Sequence, residues 1–137
     1  MKTSLYFVED YVDVWFDNTN RILVVKWFNL TTREHIERTG QIHLDALDNL
    51  KTRAIVLDLS VAKGLYYPST RDYFAKRLFP ATQKRGLEIA YLILPRNPLA
   101  RYAVLKFTEM AKSFDLSFQE VKNMEEALKE FQKAFLQ

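Results

Sequence analysis

The sequence predicts an α/β protein with one mixed sheet, in which an antiparallel hairpin precedes largely parallel strands and helices pack on the sheet. Two early segments, residues 11–16 and 22–28, alternate apolar and polar side chains, and the turn-forming run 17–20 separates them. Residues 54–59 and 87–94 are nearly continuous apolar runs, which are typical of parallel strands buried on both faces. Segments with helical periodicity lie between and after these strands, so the predicted order is ββαβαβαβα.

The first two predicted helices have recognisable start and stop signals. Thr31, with a glutamate three residues later, forms a capping-box pattern ahead of apolar residues at helical spacing. The second helix is expected to have Ser69 or Thr70 as its N-cap and to end at Gly86. Pro80 lies inside this helix and is expected to kink or split it, because proline lacks the amide proton that a helix interior uses.

The last strand and two further helices complete the predicted order. Residues 116–121 form the strand, Asn97 caps the helix before it, and Asn123 caps the helix after it. The third helix has a predicted apolar stripe of Leu99, Ala103, Phe107, Met110 and Phe114. The closing helix has predicted inward positions at Met124, Leu128, Phe131 and Phe135 and outward positions at Glu125, Lys129, Gln132 and Lys133.

Length and composition indicate one globular domain over residues 1–137. The chain is 48% hydrophobic and has only 3 Gly and 4 Pro, which favours a folded core with few long loops. It contains no Cys, so disulfides and thiolate metal sites are excluded. The start of the chain has no signal-like apolar region, and no apolar run approaches the roughly 20 residues that span a bilayer. We therefore expect a cytoplasmic protein without a transmembrane segment.

Basic residues concentrate in the middle of the chain. Residues 51–115 contain 12 Lys or Arg against 5 Asp or Glu, whereas residues 1–50 contain 5 against 8. Six of these basic positions are Lys76, Arg77, Lys84, Arg85, Arg96 and Arg101. Apolar positions interrupt them, so we expect a solvated outer face and no nucleic-acid partner. Aromatic residues such as Trp15 and Trp27 lie at spacings typical of a core rather than of base stacking.

Four segments and the order of the elements are typical of a known family: the strand end at residues 55–60, the hairpin with its late Trp27, the strand at residues 89–95, and the closing segment 118–128. Together they resemble the STAS domain of sulfate transporters and anti-sigma-factor antagonists. The hairpin and the 89–95 strand are similar to the stand-alone SpoIIAA-like branch. The resemblance implies a SpoIIAA-like fold for the whole chain. It also implies a non-enzymatic regulatory or protein-interaction domain that acts on a protein partner whose identity is unknown.

The loop after the 55–59 strand differs from the family pattern. STAS antagonists carry an Asp-Ser-Ser-Gly-like turn with a phosphorylated serine at a helix start, whereas residues 65–70 read Leu-Tyr-Tyr-Pro-Ser-Thr. Ser69 and Thr70 are the nearest counterparts, so the resemblance makes them candidate regulatory phosphosites, and the alternative is that one of them only caps the helix. The candidate ligand or partner loop comprises Ser60, Leu65, Tyr66, Tyr67 and Arg71. Its tyrosines either line a ligand opening or pack as ordinary loop residues.

No catalytic, cofactor or metal signature is recognisable. His35 and His43 lie eight residues apart on the first helix, which does not give the i, i+4 spacing of a helical zinc site. His43 shares an apolar stripe and is expected to be a core or boundary residue. Asp58 is expected to hydrogen-bond within its own turn rather than to act as a receiver phosphoacceptor, because a receiver needs a helix directly after its first strand. We therefore predict no enzyme activity.

The alternative function is that of a carrier or sensor of a small hydrophobic, lipid-like ligand. The SpoIIAA-like fold is related to lipid-binding CRAL-TRIO domains, and every predicted helix has an apolar face. The pocket is expected near the loop and helix of residues 60–79. A cavity beneath Leu65, Tyr66, Phe74, Leu78 and Phe79 would distinguish this alternative from a protein-interaction domain.

Overall fold

The structure is a computed structural model that describes residues 3–30, 32–63, 68–87 and 89–135. Its strands are β1 (Thr3–Glu9), β2 (Val12–Asp17), β3 (Ile22–Trp27), β4 (Ala54–Asp58), β5 (Ile89–Ile93) and β6 (Phe118–Glu120). Its helices are α1 (Arg33–Asn49), α2 (Pro68–Tyr73), α3 (Phe79–Lys84), α4 (Pro98–Lys112) and α5 (Met124–Phe135). A π-helical turn, Phe74–Leu78, joins α2 to α3.

The six strands form one mixed sheet in the order β1-β2-β3-β4-β5-β6. β1, β2 and β3 pair antiparallel, and β3, β4, β5 and β6 pair parallel. The predicted α/β class, the hairpin of β2 and β3 and the parallel remainder are therefore confirmed. The hairpin occupies the stretch in which a receiver would need a helix, so Asp58 is not placed as a receiver phosphoacceptor.

The prediction of two N-terminal strands was wrong, because β1 adds a third strand at the edge of the sheet. The register of β1 on β2 shifts between Leu5 and Phe7, which breaks the strict alternation that identifies a strand in a sequence. Leu5 and Val8 are also exposed rather than buried. Apolar positions normally indicate which face of a strand is buried. The exposed apolar residues of β1 therefore do not show which of its faces packs on the core.

The helices divide between the two faces of the sheet. α1, the α2–α3 segment and α4 pack on one face, where Val25, Ile55 and Leu92 are buried beneath them. α5 packs on the other face, where Phe131 is buried against the strands. Three successive connections between parallel strands turn with the same hand, so their helices lie together, and only the closing helix lies on the opposite face.

Asp17 stabilises the turn between β2 and β3. Its side chain is buried, and Oδ1 accepts hydrogen bonds from the backbone amides of Thr19 (2.9 Å) and Asn20 (3.2 Å). Oδ2 accepts a third from the Asn20 side chain at 2.9 Å. Arg21 then adopts φ +59°, which completes the reversal. The turn chemistry predicted for residues 17–20 is therefore present.

The second helical segment is interrupted, as predicted, next to Pro80. The amide of Phe79 donates to the carbonyl of Phe74, five residues back, and α3 begins there with Pro80 in its first turn, where a missing amide proton is tolerated. The segment ends before Gly86, which has φ +69°. The predicted N-cap was wrong: α2 begins at Pro68, so Ser69 and Thr70 lie in its first turn.

Of the N-caps predicted for the other helices, the structure confirms two. Thr31 lies outside the described residues, and α1 begins at Arg33 after Thr32, whose side chain makes no capping hydrogen bond. The amides of Leu99 and Ala100 donate to Asn97 Oδ1, which confirms the predicted cap of α4. The cap of α5 is confirmed as well, since Glu126 donates its amide to the Asn123 side chain.

Two predicted core positions were wrong. Leu99 is exposed, because the buried face of α4 consists of Val104, Phe107 and Ala111. Trp15 is partly exposed, because it lies at the end of the sheet that α5 does not reach. In the described part of the chain, no helix combines the length and the apolar character needed to cross a membrane.

Candidate ligand cavity

A cavity of about 100 Å³ lies between the sheet and the helices of the α1 face. The sheet contributes Val25, Ile55 and Ala90 to its wall, and α1 and α4 contribute Ile36, Val104 and Phe107. Well-packed interiors contain little unfilled space of this size, and sites for small molecules are typically lined by mostly apolar side chains with a few polar groups. The cavity is therefore a candidate site for a small apolar ligand.

The helical segment that joins β4 to β5 closes the cavity with aromatic and aliphatic side chains. Phe74, Leu78 and Phe79 all line it. Phe74 packs edge-on against Phe107 of α4, with ring centroids 5.1 Å apart, and against Phe79 at 5.4 Å. Three of the five residues predicted to cover a cavity therefore contribute to this wall, and the other two, Leu65 and Tyr66, lie outside the described residues.

Among the described lining residues, polar groups are few and no Asp, Glu, Lys or Arg is present. The polar groups are the hydroxyls of Thr39, Thr82 and Thr108, the imidazole of His43 and the indole N–H of Trp27. Thr39 and His43 lie one helical turn apart on α1, so both meet the cavity from the same side. A site with this composition favours uncharged ligands, because a buried charge needs a partner of opposite sign.

His43 is half-buried and forms a hydrogen bond across the wall. Its Nε2 lies 3.0 Å from Thr82 Oγ1, and the Thr82 hydroxyl donates its own proton to the carbonyl of Leu78 at 2.7 Å. Burial, and secondarily the positive charge of Arg85, lowers the pKa of His43 to about 4. The ring is therefore neutral at pH 7, which agrees with the prediction of a core or boundary histidine.

Gly40 lets the second helical segment approach α1 closely beside the cavity. A Cβ atom at residue 40 would overlap the Tyr73 hydroxyl, and that hydroxyl donates to the carbonyl of Glu37 at 3.3 Å. Burial raises the pKa of Tyr73 to about 12, with the Glu37 carboxylate adding to the effect and Arg77 opposing it. The contact therefore requires both a glycine on α1 and a protonated tyrosine on α2.

The loop after β4 is organised by local hydrogen bonds. Asp58 Oδ1 accepts from the backbone amide of Ser60 at 3.0 Å and from its hydroxyl at 2.7 Å, as predicted for a residue that stabilises its own turn. Lys63 then pairs with the segment after β3, since its amide donates to Phe28 and its carbonyl accepts from Leu30. Ser60 is thus held by a carboxylate in a structural turn, and it does not line the cavity.

The other predicted loop residues are described only in part. Leu65, Tyr66 and Tyr67 lie outside the described residues, and so do the side chains of Ser69 and Thr70, whose backbone lies in α2. Arg71 is exposed on the same helix. The predicted loop site and the phosphosites therefore remain predictions, and phosphorylation of Ser69 or Thr70 is implied by the resemblance alone.

Within the described ranges, the remaining histidine packs on an aromatic ring and belongs to no metal-binding cluster. His35 stacks on Tyr11, with ring centroids 3.8 Å apart and the planes 2° from parallel. Across the ranges that the structure describes, no three His, Asp or Glu side chains lie close enough to hold a metal ion.

The sequence did not predict the threonines of the cavity wall as site residues. They come from three different helices, and each lies among apolar neighbours at helical spacing, where a threonine usually counts as a neutral boundary residue. The one usable signal is Thr39, a polar residue on the apolar stripe of α1 next to Gly40 and His43. Only the fold shows that these positions face one cavity.

No protein-family model, curated protein or solved structure matches this chain. The resemblance to STAS domains therefore remains a prediction. The structure itself supports the coarser description of an α/β domain with a mixed six-stranded sheet.

Proposed function

We propose that the protein binds a small apolar molecule in the cavity on the α1 face of the sheet. The observation that carries the proposal is the wall itself, which gathers aliphatic and aromatic side chains from the sheet, α1, the α2–α3 segment and α4 around unfilled space. Binding sites for small molecules typically combine such a wall with a few placed polar groups. Filling the space would restore the dispersion contacts that the lining side chains lack.

The volume limits the ligand to a compound of a few carbon atoms. Pockets for drug-sized ligands measure roughly 300–1,000 Å³, and an apolar cavity of about 150 Å³ holds benzene. The cavity here, at about 100 Å³, is smaller than both. The proposal is therefore narrower than the alternative function predicted from the sequence, a carrier or sensor of a small hydrophobic, lipid-like ligand, since a whole lipid does not fit this volume.

The test compares a cavity-filling variant with the same substitution on the surface. Val104 is buried and lines the cavity, so Val104→Phe should fill it, whereas Val61 is exposed and lies outside the wall. Titration with 1-butanol, followed by amide chemical shifts, should show saturable changes at cavity residues in the parent and in Val61→Phe but not in Val104→Phe. Ala90→Val, a smaller change in the same wall, serves as the second variant if Val104→Phe does not fold.

Two results would contradict the proposal. One is the absence of saturable shifts in the parent. The other is equal binding to the parent and to a folded cavity-filled variant, because the ligand would then lie elsewhere. Circular dichroism and thermal melting establish that each variant is folded before its titration is interpreted.

A second candidate function, protein association, has its own supporting observation. Leu5, Val8 and Trp15 are exposed on the same face of the sheet as α5. They lie beyond the strands that α5 covers. Leu5 lies opposite Trp15 in the β1–β2 register, so the two side chains share that face. Exposed apolar residues clustered on an edge strand are typical of an interaction surface.

We propose a second copy of this chain as the occupant of that surface, through antiparallel pairing of two β1 edges. β1 is the edge strand of the sheet, and the matching edge of a second copy would continue the sheet and place the exposed apolar residues of the two copies side by side. Light scattering after size-exclusion chromatography should show a concentration-dependent dimer for the parent and for Leu99→Lys, a control at an exposed leucine of α4, and a monomer for Leu5→Lys. A parent that remains monomeric at high concentration contradicts this candidate.

A further inference from the structure

Three threonine hydroxyls line the cavity, and they differ in their hydrogen bonds. Thr82 donates to the carbonyl of Leu78 at 2.7 Å, and Thr108 donates to the carbonyl of Leu105 at 2.8 Å. Thr39 is 3% exposed, and its Oγ1 has no hydrogen-bond partner among the described residues. Of these three wall hydroxyls, only that of Thr39 is therefore buried without a hydrogen-bond partner among the described residues.

An unpaired buried hydroxyl is unusual, because buried polar side chains in native proteins nearly always have a partner. A threonine within a helix has a partner close at hand, namely the backbone carbonyl three or four residues earlier, and Thr82 and Thr108 both use it. Thr39 does not. Since Thr39 lines the cavity, a molecule in the cavity can supply the missing hydrogen bond.

The surroundings of Thr39 exclude a charged polar group on that molecule. The lining side chains include no Asp, Glu, Lys or Arg within the part of the chain that the structure describes. The imidazole of His43, one turn away, is neutral at pH 7 because burial and Arg85 lower its pKa to about 4. A carboxylate or ammonium group would thus enter an apolar space without a counter-charge.

We propose that the ligand is a small uncharged alcohol whose hydroxyl pairs with Thr39 Oγ1 while its hydrocarbon part fills the cavity. A hydroxyl both donates and accepts, so it matches the Thr39 hydroxyl in either direction. This inference rests on the proposed function, and it adds the polar group of the ligand and the residue that recognises it.

The experiment compares 1-butanol, n-pentane and butyrate as probes. Butanol and pentane have the same number of heavy atoms, so their affinities differ through the hydroxyl, and butyrate adds a negative charge. The variant Thr39→Val removes the unpaired hydroxyl and keeps the branched shape. Thr108→Val is the matched control, because it makes the same change in the same wall at a hydroxyl that is already paired.

Amide chemical-shift titrations should show saturable binding of butanol and pentane, and weaker binding of butyrate, in the parent and in Thr108→Val. In Thr39→Val, butanol should bind about fivefold more weakly, as expected for the loss of one neutral hydrogen bond, while pentane binding stays unchanged. Equal loss of affinity for both probes, or no loss for butanol, would overturn the role of Thr39. Tighter binding of butyrate than of butanol would overturn the uncharged class.

The failure of this inference is distinguishable from failure of the proposed function. If pentane and butanol both bind in the cavity and Thr39→Val does not change the ratio of their affinities, the apolar site is supported and the contact with Thr39 is contradicted. If no probe shifts the cavity amides of the parent, the ligand site itself falls, and this inference falls with it.

Discussion

His43 Nε2 and Thr82 Oγ1 lie 3.0 Å apart and join α1 to α3 across the wall of the cavity. Because the Thr82 hydroxyl gives its only proton to the Leu78 carbonyl, its oxygen must accept from the imidazole. His43 is therefore the tautomer that carries its proton on Nε2. This assignment links a half-buried neutral imidazole to the packing of two helices, and it makes the stability of the fold sensitive to pH.

Unfolding should become easier as the pH falls from about 6.5 to about 4. The unfolded chain protonates His43 below its ordinary pKa of about 6.5, whereas in the folded protein the pKa is lowered to about 4. The unfolded state thus binds more protons in this window, so stability is fully present above it and is lost through it. The loss is at most roughly 3 kcal/mol, since His43 keeps some solvent exposure.

Urea denaturation at pH 7 and pH 4.5 measures this effect, and His43→Gln is the control. Glutamine does not titrate, and its side-chain amide can still donate to Thr82. The drop in the free energy of unfolding between the two pH values should be smaller in His43→Gln than in the parent. Equal drops in both proteins would show that His43 carries none of the acid sensitivity.

Gly40→Ala should destabilise the protein through its contact with Tyr73. The added Cβ overlaps the tyrosine hydroxyl, so α1 and α2 must separate or the ring must move, at a cost of about 1–3 kcal/mol. Tyr73→Phe removes the overlapping atom. The double variant should therefore be more stable than the sum of the two single changes predicts, and a double-mutant cycle by chemical denaturation measures the difference. Strict additivity would contradict the proposed clash.

Much of the fold could be predicted because its signals are local. Asp17 and the turn after it, Asn97 before Pro98, and Gly86 with its positive φ each act through the backbone next to them. β1 was missed for the opposite reason. Its Leu5 and Val8 face water, and its register shift removes the alternation, so only pairing with β2 identifies it as a strand.

The cavity could be predicted only in outline. Phe74 and Leu78 were expected to border it because they share a helical face, which is again a local property. Thr39 and Thr108 lie on helices that are distant in the sequence, and the sheet brings them to one wall. Whether a threonine hydroxyl is satisfied depends on three-dimensional neighbours, so the feature that gives the site its chemistry is absent from sequence patterns.

Asp17→Ala should weaken the β2–β3 turn by about 2 kcal/mol, because it removes the acceptor for two backbone amides and one side-chain amide. Asp17→Asn keeps one carbonyl oxygen in place and should cost less. Thermal melting of both variants tests the order. If Asp17→Asn is as unstable as Asp17→Ala, the carboxylate charge, and not its acceptor geometry, holds the turn.

The closing helix is expected to stabilise the domain through its apolar face alone. Phe131 is fully buried against the sheet, its ring lies 4.7 Å from that of Phe135, and the Arg53 guanidinium lies 5.8 Å from it. Phe131→Ala should therefore cost roughly 3–5 kcal/mol, a large part of the 5–15 kcal/mol typical of a domain.

Charge reversal at Glu125 or Lys129 is the contrasting change on the same helix. Both residues are exposed, as predicted from the sequence, so each reversal should alter the free energy of unfolding by less than about 0.5 kcal/mol. Thermal and urea denaturation measure the stability of Phe131→Ala and of the two charge-reversal variants. A Phe131→Ala variant as stable as the parent would mean that α5 is not docked in solution. Its apolar face would then be open to a partner, and Ile22, Val24 and Tyr91 beneath it would become exposed.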